Sequence, residues 1–135
     1  MLDKLLRHSV PEMDIQAAIS TKGAVFLDAR ELNEFEVSHI RNAIPVGYTH
    51  FDPETLTNLP RDTSIIVYCS VGYRSEKIAE KLIENGFTRV NNLYGGIFEW
   101  VNSGQEVVCQ EAPTDRVHAY NKVWGVWLNR GTKVY

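Results

Sequence analysis

Ser64-Ile65-Ile66-Val67-Tyr68-Cys69-Ser70-Val71-Gly72-Tyr73-Arg74-Ser75 is the stretch from which the rest of the chain can be read. Its first five residues are rich in β-branched side chains and carry no charge, which places them as a strand in the middle of a sheet. Cys69 stands at the carboxyl end of that strand. Ser75 then caps a helix in which Ile78, Ala79, Leu82 and Ile83 form an apolar stripe, Glu76, Lys77, Glu80, Lys81 and Glu84 face water, and Gly86 marks the stop. A thiol between a buried parallel strand and a helix start sits where open α/β sheets bind ligands. Amides of a short loop that curls into a helix converge on one point, and with the helix dipole and a nearby guanidinium they favour negative charge there. A thiol so placed is expected to ionise below its ordinary value of about 8.5, and the thiolate is the nucleophile. Gly72 would let the loop curl tightly. The competing reading of Cys69 is a packed core thiol, since free cysteine is among the most buried residue types.

Outward from this stretch, helices and strands alternate. Upstream, Pro11 opens a helix carrying Ile15, Ala18 and Ile19 and closing at Lys22-Gly23, and Ala24 to Leu27 form a buried strand that ends at Asp28. Asn33 caps a short helix over Glu34 to Val37, Ala43 to Val46 form a short strand, and Asp52-Pro53-Glu54 starts a helical turn ending near Leu59-Pro60. Downstream, Phe87 to Leu93 supply a strand, Gly95-Gly96 a tight turn, and Ile97 to Ser103 a helix closed by Gly104. The βαβα order predicts an α/β sandwich with a central parallel sheet flanked by helices, over residues 1–110. In residues 111–135, Tyr120, Val123, Trp124, Trp127 and Leu128 follow i, i+3, i+4, i+7, i+8 behind a capping Asp115, which predicts a C-terminal amphipathic helix. Its stripe is expected to pack on the outer face of the same domain; a dimer contact or a wall beside the cysteine loop are the alternatives.

The 135 residues suit one domain with a core that needs no staples, and 44% hydrophobic with 23% charged residues is ordinary globular composition. The longest stretch without Asp, Glu, Lys or Arg, Thr63 to Tyr73, is eleven residues against the roughly 18 needed to span a bilayer, so no membrane partner is expected. Met1 to His8 mixes both charge signs and lacks the apolar core of a secretory signal, which makes a cytoplasmic protein the expectation. A net charge of -3 with scattered basic residues argues against nucleic acid as a partner. Cys69 and Cys109 lie far apart without a Cys/His cluster, so neither a zinc site nor a disulfide is expected.

Several segments together resemble the rhodanese family of sulfurtransferase domains. Cys69-Ser70-Val71-Gly72-Tyr73-Arg74 is similar to the family's Cys-x-x-Gly-x-Arg loop. Leu27-Asp28-Ala29-Arg30 followed by Glu34-Phe35 and His39-Ile40 resembles its upstream signature, and Leu93-Tyr94-Gly95-Gly96-Ile97-Phe98-Glu99-Trp100 its Leu-x-Gly-Gly-x-x-x-Trp motif. The resemblance spans roughly Pro11 to Val108 and departs at Ser38 and Asn42, where the family usually has glycine. It implies a ping-pong reaction in which Cys69 takes a sulfane sulfur from a donor such as thiosulfate, holds it as a persulfide and passes it to cyanide or a thiol. A thioredoxin-like reductant is a further partner it suggests, and no metal or organic cofactor is needed. Two other readings remain: a tyrosine-type phosphatase or arsenate reductase, whose loops have five residues between Cys and Arg where this one has four, and a non-catalytic binding module, which often lacks the cysteine.

Supporting residues have competing roles. The amides from Ser70 to Ser75 are the expected anion cradle, with the side chains of Ser70, Val71 and Tyr73 bordering the pocket mouth. Arg74 either orients an anionic donor or ties the loop to a carboxylate such as Glu34. Asp28 and Arg30 either line the cleft or serve the turn after their strand. His39 is expected to be structural, Gly95 and Gly96 to serve close packing, and Cys109 to be a bystander. The loop offers no cation before Arg74, so thiosulfate affinity is expected to be modest.

Overall fold

The computed structural model describes residues 5–135 apart from the side chain of Val123, so the first four residues of Met1 to His8 and that one member of the predicted stripe lie outside the described residues. Strands β1 (Glu12–Met13), β2 (Val25–Asp28), β3 (Ile44–Pro45), β4 (Ile65–Tyr68) and β5 (Val90–Leu93) form a parallel sheet in the order β1-β5-β4-β2-β3. All four residues of β4 are buried, and Val67 lies between Leu27 and Asn92. Side chains alternate across this strand. Ile65 and Val67 enter a core closed by Ile78, Ala79 and Leu82 of α3 (Tyr73–Glu84) and by Leu56 of a 3-10 turn (Pro53–Leu56). Ile66 and Tyr68 enter a second core, against Ile15 and Ala18 of α1 (Ile15–Ser20) and Ile97, Phe98 and Val101 of α4 (Gly96–Asn102). The expected α/β architecture with a central parallel sheet is therefore present.

Several local expectations are corrected. The first helix starts after Asp14, whose side chain accepts from the Ala17 amide at 2.8 Å, because Glu12 and Met13 are drawn into an edge strand beside β5. Helix α2 (Leu32–Val37) is capped by Glu31 rather than Asn33, in a reciprocal box with Glu34. Helix α3 begins at Tyr73, with Gly72 at φ 121 as its cap and Ser75 already in the first turn. Ile83 is exposed, and Glu76 is fully buried instead of facing water, accepting from the amides of Arg7 at 3.0 Å and Ser9 at 3.3 Å. Of the two departures from glycine, Ser38 has φ -168, extended backbone open to any residue. Asn42 has φ 67, the left-handed region that asparagine tolerates better than most side chains.

The largest difference concerns the tail. In place of one amphipathic helix, β6 (Val107–Cys109) and β7 (Ala112–Thr114) form an antiparallel hairpin, and β8 (Arg116–His118) pairs in parallel with β9 (Thr132–Val134) around a single-turn helix, α5 (Lys122–Gly125). Asp115 does not cap a helix. Its carbonyl accepts from the Thr132 amide and its carboxylate from the Thr132 hydroxyl at 3.0 Å, so it closes the β8–β9 pair. Tyr120 at φ 69 breaks any continuous helix, and Asn121 restarts one by accepting from the Trp124 amide at 2.9 Å. Tertiary burial outweighs helical periodicity here, because β8 can insert Val117 and the segment after α5 can insert Leu128 into the core that α4 shares.

The first turn of α4 presses on the cysteine loop. Ile97 donates to the Cys69 carbonyl at 2.9 Å and Phe98 to the Ser70 carbonyl at 3.1 Å. Gly96, at φ 60, makes this approach possible, since a Cβ there would stand 2.5 Å from both carbonyl oxygens.

Gly96→Ala is therefore expected to destabilise the fold by about 2–4 kcal/mol, from overpacking added to left-handed strain, read as a lower denaturation midpoint. Leu128→Ala is expected to cost about 2–5 kcal/mol in the same measurement, the range for emptying a buried leucine site, whereas a tail merely laid on the surface would show almost no change.

Candidate active site

Cys69 follows β4 directly and is almost completely buried, so it is not part of an exposed loop. The Gly72 amide donates to its Sγ at 3.1 Å, and Ser75 Oγ lies 3.4 Å from the sulfur. Ser75 in turn donates to Asn92 Oδ1 at 2.6 Å, while Asn92 Nδ2 donates to the Gly72 carbonyl at 3.0 Å. Asn92 thus fixes both groups next to the sulfur from β5, a role that its place in the strand sequence did not announce. With the Cys69 and Ser70 carbonyls taken up by α4, the loop backbone meets the sulfur through the Gly72 amide, the polarity that suits an anionic sulfur.

Arg74 takes the structural of its two expected roles. Its terminal nitrogens donate to Glu34 Oε2 at 2.7 Å and Oε1 at 2.8 Å, a planar bidentate pair, and Nη2 also donates to Ser70 Oγ at 3.0 Å. Burial raises the Glu34 carboxyl, but the Arg74 guanidinium outweighs it and holds the group below its ordinary 4.5. Burial likewise lowers Arg74, and the hydrogen-bonded Glu34 overcomes this to hold it above its ordinary value.

The thiol opens into a cavity of about 330 Å³. Cys69, Ser70, Val71, Tyr73 and Arg74 supply the loop side; Gly72 and Ser75 stand behind it, toward the sulfur. The other walls are Glu31, Tyr48 and Thr49 before β4, and Tyr120 and Trp124 from the tail. Glu31 is held below 4.5 chiefly by the Thr49 hydroxyl at 2.7 Å, against burial and with help from the Tyr48 and Thr49 amides. Tyr120 lies over the Arg74 guanidinium at 4.8 Å. The tail therefore both packs into the core and forms a wall of the cysteine cavity. The tail aromatics carried a visible signal in the sequence, but one that pointed to a helix face; Glu31, Tyr48 and Thr49 carried none.

Of the two roles weighed for Asp28 and Arg30, the structure shows the turn and not the cleft: neither is among the cavity's lining residues, and the Arg30 amide donates to Asp28 Oδ1 at 3.0 Å. They are 0% and 1% exposed and pair with each other through Arg30 Nε at 3.0 Å and Nη2 at 2.7 Å. Tyr68 donates to Asp28 at 2.7 Å and accepts from the Ile40 amide at 3.1 Å, so this cluster locks the ends of β2 and β4. Burial lowers Arg30, and the charge of Asp28 more than restores it. His39 is packed flat on Phe35, with ring centroids 3.8 Å apart. Cys109 contacts the Glu36 carbonyl from β6 and is not among the cavity's lining residues. Among the described residues no group of three or more His, Cys, Asp or Glu could hold a metal, and no helix is long and apolar enough to cross a membrane.

A parallel α/β sheet whose central strand delivers a cysteine into a short loop closed by arginine defines a class of domain built around one thiol. The family described as rhodanese-like domain matches residues 13–103, and the chain belongs to that family. A tRNA uridine(34) hydroxylase of Citrobacter koseri is 33% identical over 98 residues, 69% of this chain, and the chain spans only 28% of the length of that curated relative. The solved structure of a rhodanese-related protein of Thermoplasma volcanium is 28% identical, with a TM-score of 0.67 over 74% of this chain and 99% of the other. A thiosulfate sulfurtransferase of Pseudomonas aeruginosa, 23% identical, shares the fold with a TM-score of 0.68 over 76% of this chain and 21% of its own.

Because the folded protein holds Glu34 below 4.5, the stability it contributes is complete above that pH and is lost as acid protonates the carboxylate through its lower folded value. Glu34→Gln is expected to cost about 3 kcal/mol at neutral pH and progressively less below pH 4.5, measured as denaturation midpoints across pH. A pH-independent loss would show that the charge of Glu34 contributes nothing.

Proposed function

We propose that this domain is a sulfurtransferase working through a persulfide on Cys69. The Cys69 thiolate attacks the sulfane sulfur of a donor such as thiosulfate, a new S–S bond forms, and sulfite leaves with the electron pair of the broken bond. A thiol or cyanide acceptor then attacks the outer sulfur, and the Cys69 thiolate is released. Thioredoxin-like reductants are suitable acceptors. The observation that carries the proposal is a thiol at the end of β4 that opens into a cavity and meets the Gly72 amide at 3.1 Å. The Ser75 hydroxyl, 3.4 Å away, would also face the negative charge of a persulfide.

The same geometry disfavours phosphate chemistry. Only four residues separate Cys69 from Arg74, and both terminal nitrogens of Arg74 are engaged by Glu34, which leaves no open fork to clamp a tetrahedral oxyanion. A non-catalytic binding module is disfavoured by the thiol's access to the cavity. The tRNA uridine hydroxylation for which the curated relative is named belongs to a protein of which this chain spans 28%, and no group described above supplies a reason to carry that reaction over.

Mass spectrometry after treatment with thiosulfate is expected to show a gain of one sulfur on Cys69 that reductant removes. Cys69→Ala should abolish thiosulfate:cyanide turnover, whereas Cys109→Ser should keep most of it. Turnover in Cys69→Ala, or an unmodified Cys69 in protein that turns over, would rule the mechanism out.

A further inference from the structure

The cavity in front of Cys69 is poor in positive charge. Glu31 and Arg74 are the charged side chains among its lining residues, and Arg74 is already neutralised by Glu34 directly behind it. A donor entering this space meets one guanidinium, already paired from behind, and one carboxylate. Thiosulfate, a compact dianion, gains little there beyond the loop amides and is opposed by Glu31. The remaining surface is largely aromatic: Tyr48, Tyr73, Tyr120 and Trp124.

Two of these aromatics come from outside the family match, which ends at residue 103. They are held in place by specific contacts. The Tyr120 amide donates to His118 Nδ1 at 3.0 Å and the Asn121 amide to the Ala119 carbonyl at 2.8 Å, which stabilises Tyr120 at φ 69. Such left-handed backbone is unfavourable for a tyrosine and persists only where the surroundings enforce it. Val117 before the turn and Leu128 after it anchor the segment in the core. The result is a tyrosine left 47% exposed, its ring laid over the Arg74 guanidinium at the cavity wall.

We infer that Tyr120, with Trp124, determines donor specificity, and that the domain takes sulfur from organic carriers with an apolar or aromatic body in preference to inorganic thiosulfate. This rests on the sulfur-transfer reading of the site. The chemistry at sulfur is unchanged: with a thiosulfonate donor, the Cys69 thiolate bonds to the sulfane sulfur, the sulfur–sulfur bond of the donor breaks, and a sulfinate leaves with its electron pair. About 330 Å³ is ample for a benzene ring beside the sulfane sulfur.

Three donors test the inference on the full chain: thiosulfate, methanethiosulfonate and benzenethiosulfonate, with kcat/KM for persulfide formation as the readout. Because the donors differ in intrinsic reactivity, the decisive quantity is the ratio between them in each variant. Tyr120→Ala is expected to lower the benzenethiosulfonate-to-thiosulfate ratio about five- to tenfold, the size of one lost aromatic contact, and Tyr120→Phe to restore it. Glu31→Gln, which keeps an acceptor oxygen for the α2 cap, is expected to raise kcat/KM for thiosulfate several-fold more than for either monoanion. Ratios that do not move in Tyr120→Ala and Glu31→Gln, with all donors slowed alike, would overturn the inference and leave sulfur transfer standing. If no donor places sulfur on Cys69, the sulfurtransferase reading fails and this inference with it.

Discussion

The bidentate ion pair between Arg74 and Glu34 is the contact on which the arrangement of the site depends. It joins the cysteine loop to α2, the pieces of chain that follow the neighbouring strands β4 and β2, and it does so with a planar fork that fixes orientation as well as distance. The pair is well shielded, with 12% and 3% of the two side chains exposed, so water does little to loosen it. Because β8 packs against α2, and Tyr120 covers the outer face of Arg74, the tail takes its position relative to the thiol through the same pair. An arginine paired in this way brings little net positive charge to the cavity wall, and the character of the cavity follows from that.

A second charge cluster serves the sheet rather than the cavity. Asp28, Arg30 and Tyr68 are fully enclosed, a situation that is tolerable only because each charge has its partner and the hydroxyl bridges them to the Ile40 amide. The cluster ties the carboxyl ends of β2 and β4, and Arg30 reaches on to the Ser38 carbonyl beyond α2. Both ends of α2 are thereby held: Glu34 by the cysteine loop and Ser38 by the strand end. The surroundings of the thiol are set by Asn92, which holds the Gly72 carbonyl and the Ser75 hydroxyl, and by the first turn of α4, which takes up the Cys69 and Ser70 carbonyls.

The family signature and the tail contribute different things to one cavity. Residues of the matched segment deliver the sulfur atom and the amide and hydroxyl near it. Residues beyond the match add Tyr120 and Trp124 to the aromatic surface that Tyr48 and Tyr73 begin, where more cationic loops would supply charge. Both contributions are rigid for the same reason, namely that each is bracketed by side chains sunk in the core: β4 and α4 around the loop, Val117 and Leu128 around the tail.

The strand–cysteine–helix order, the parallel α/β architecture and the place of Cys69 were legible in the amino-acid sequence, because each rests on local chemistry: β-branched runs, capping residues, glycine punctuation and a short motif; for Arg74 the pairing with Glu34, forty residues away, was one of two alternatives. The burial of Asp28 with Arg30, the inward turn of Glu76 and the role of Asn92 were not legible, since a polar residue's destination depends on partners far away in the chain. The tail shows the division most plainly. Its apolar spacing of three and four predicts a helix, yet the same residues fold into β8, a single turn and β9, because helical periodicity is worth little in a segment this short against seating Val117 and Leu128 in a core that only the assembled sheet provides. Local pattern determined which atom is placed at the site, and long-range packing decided what surrounds it.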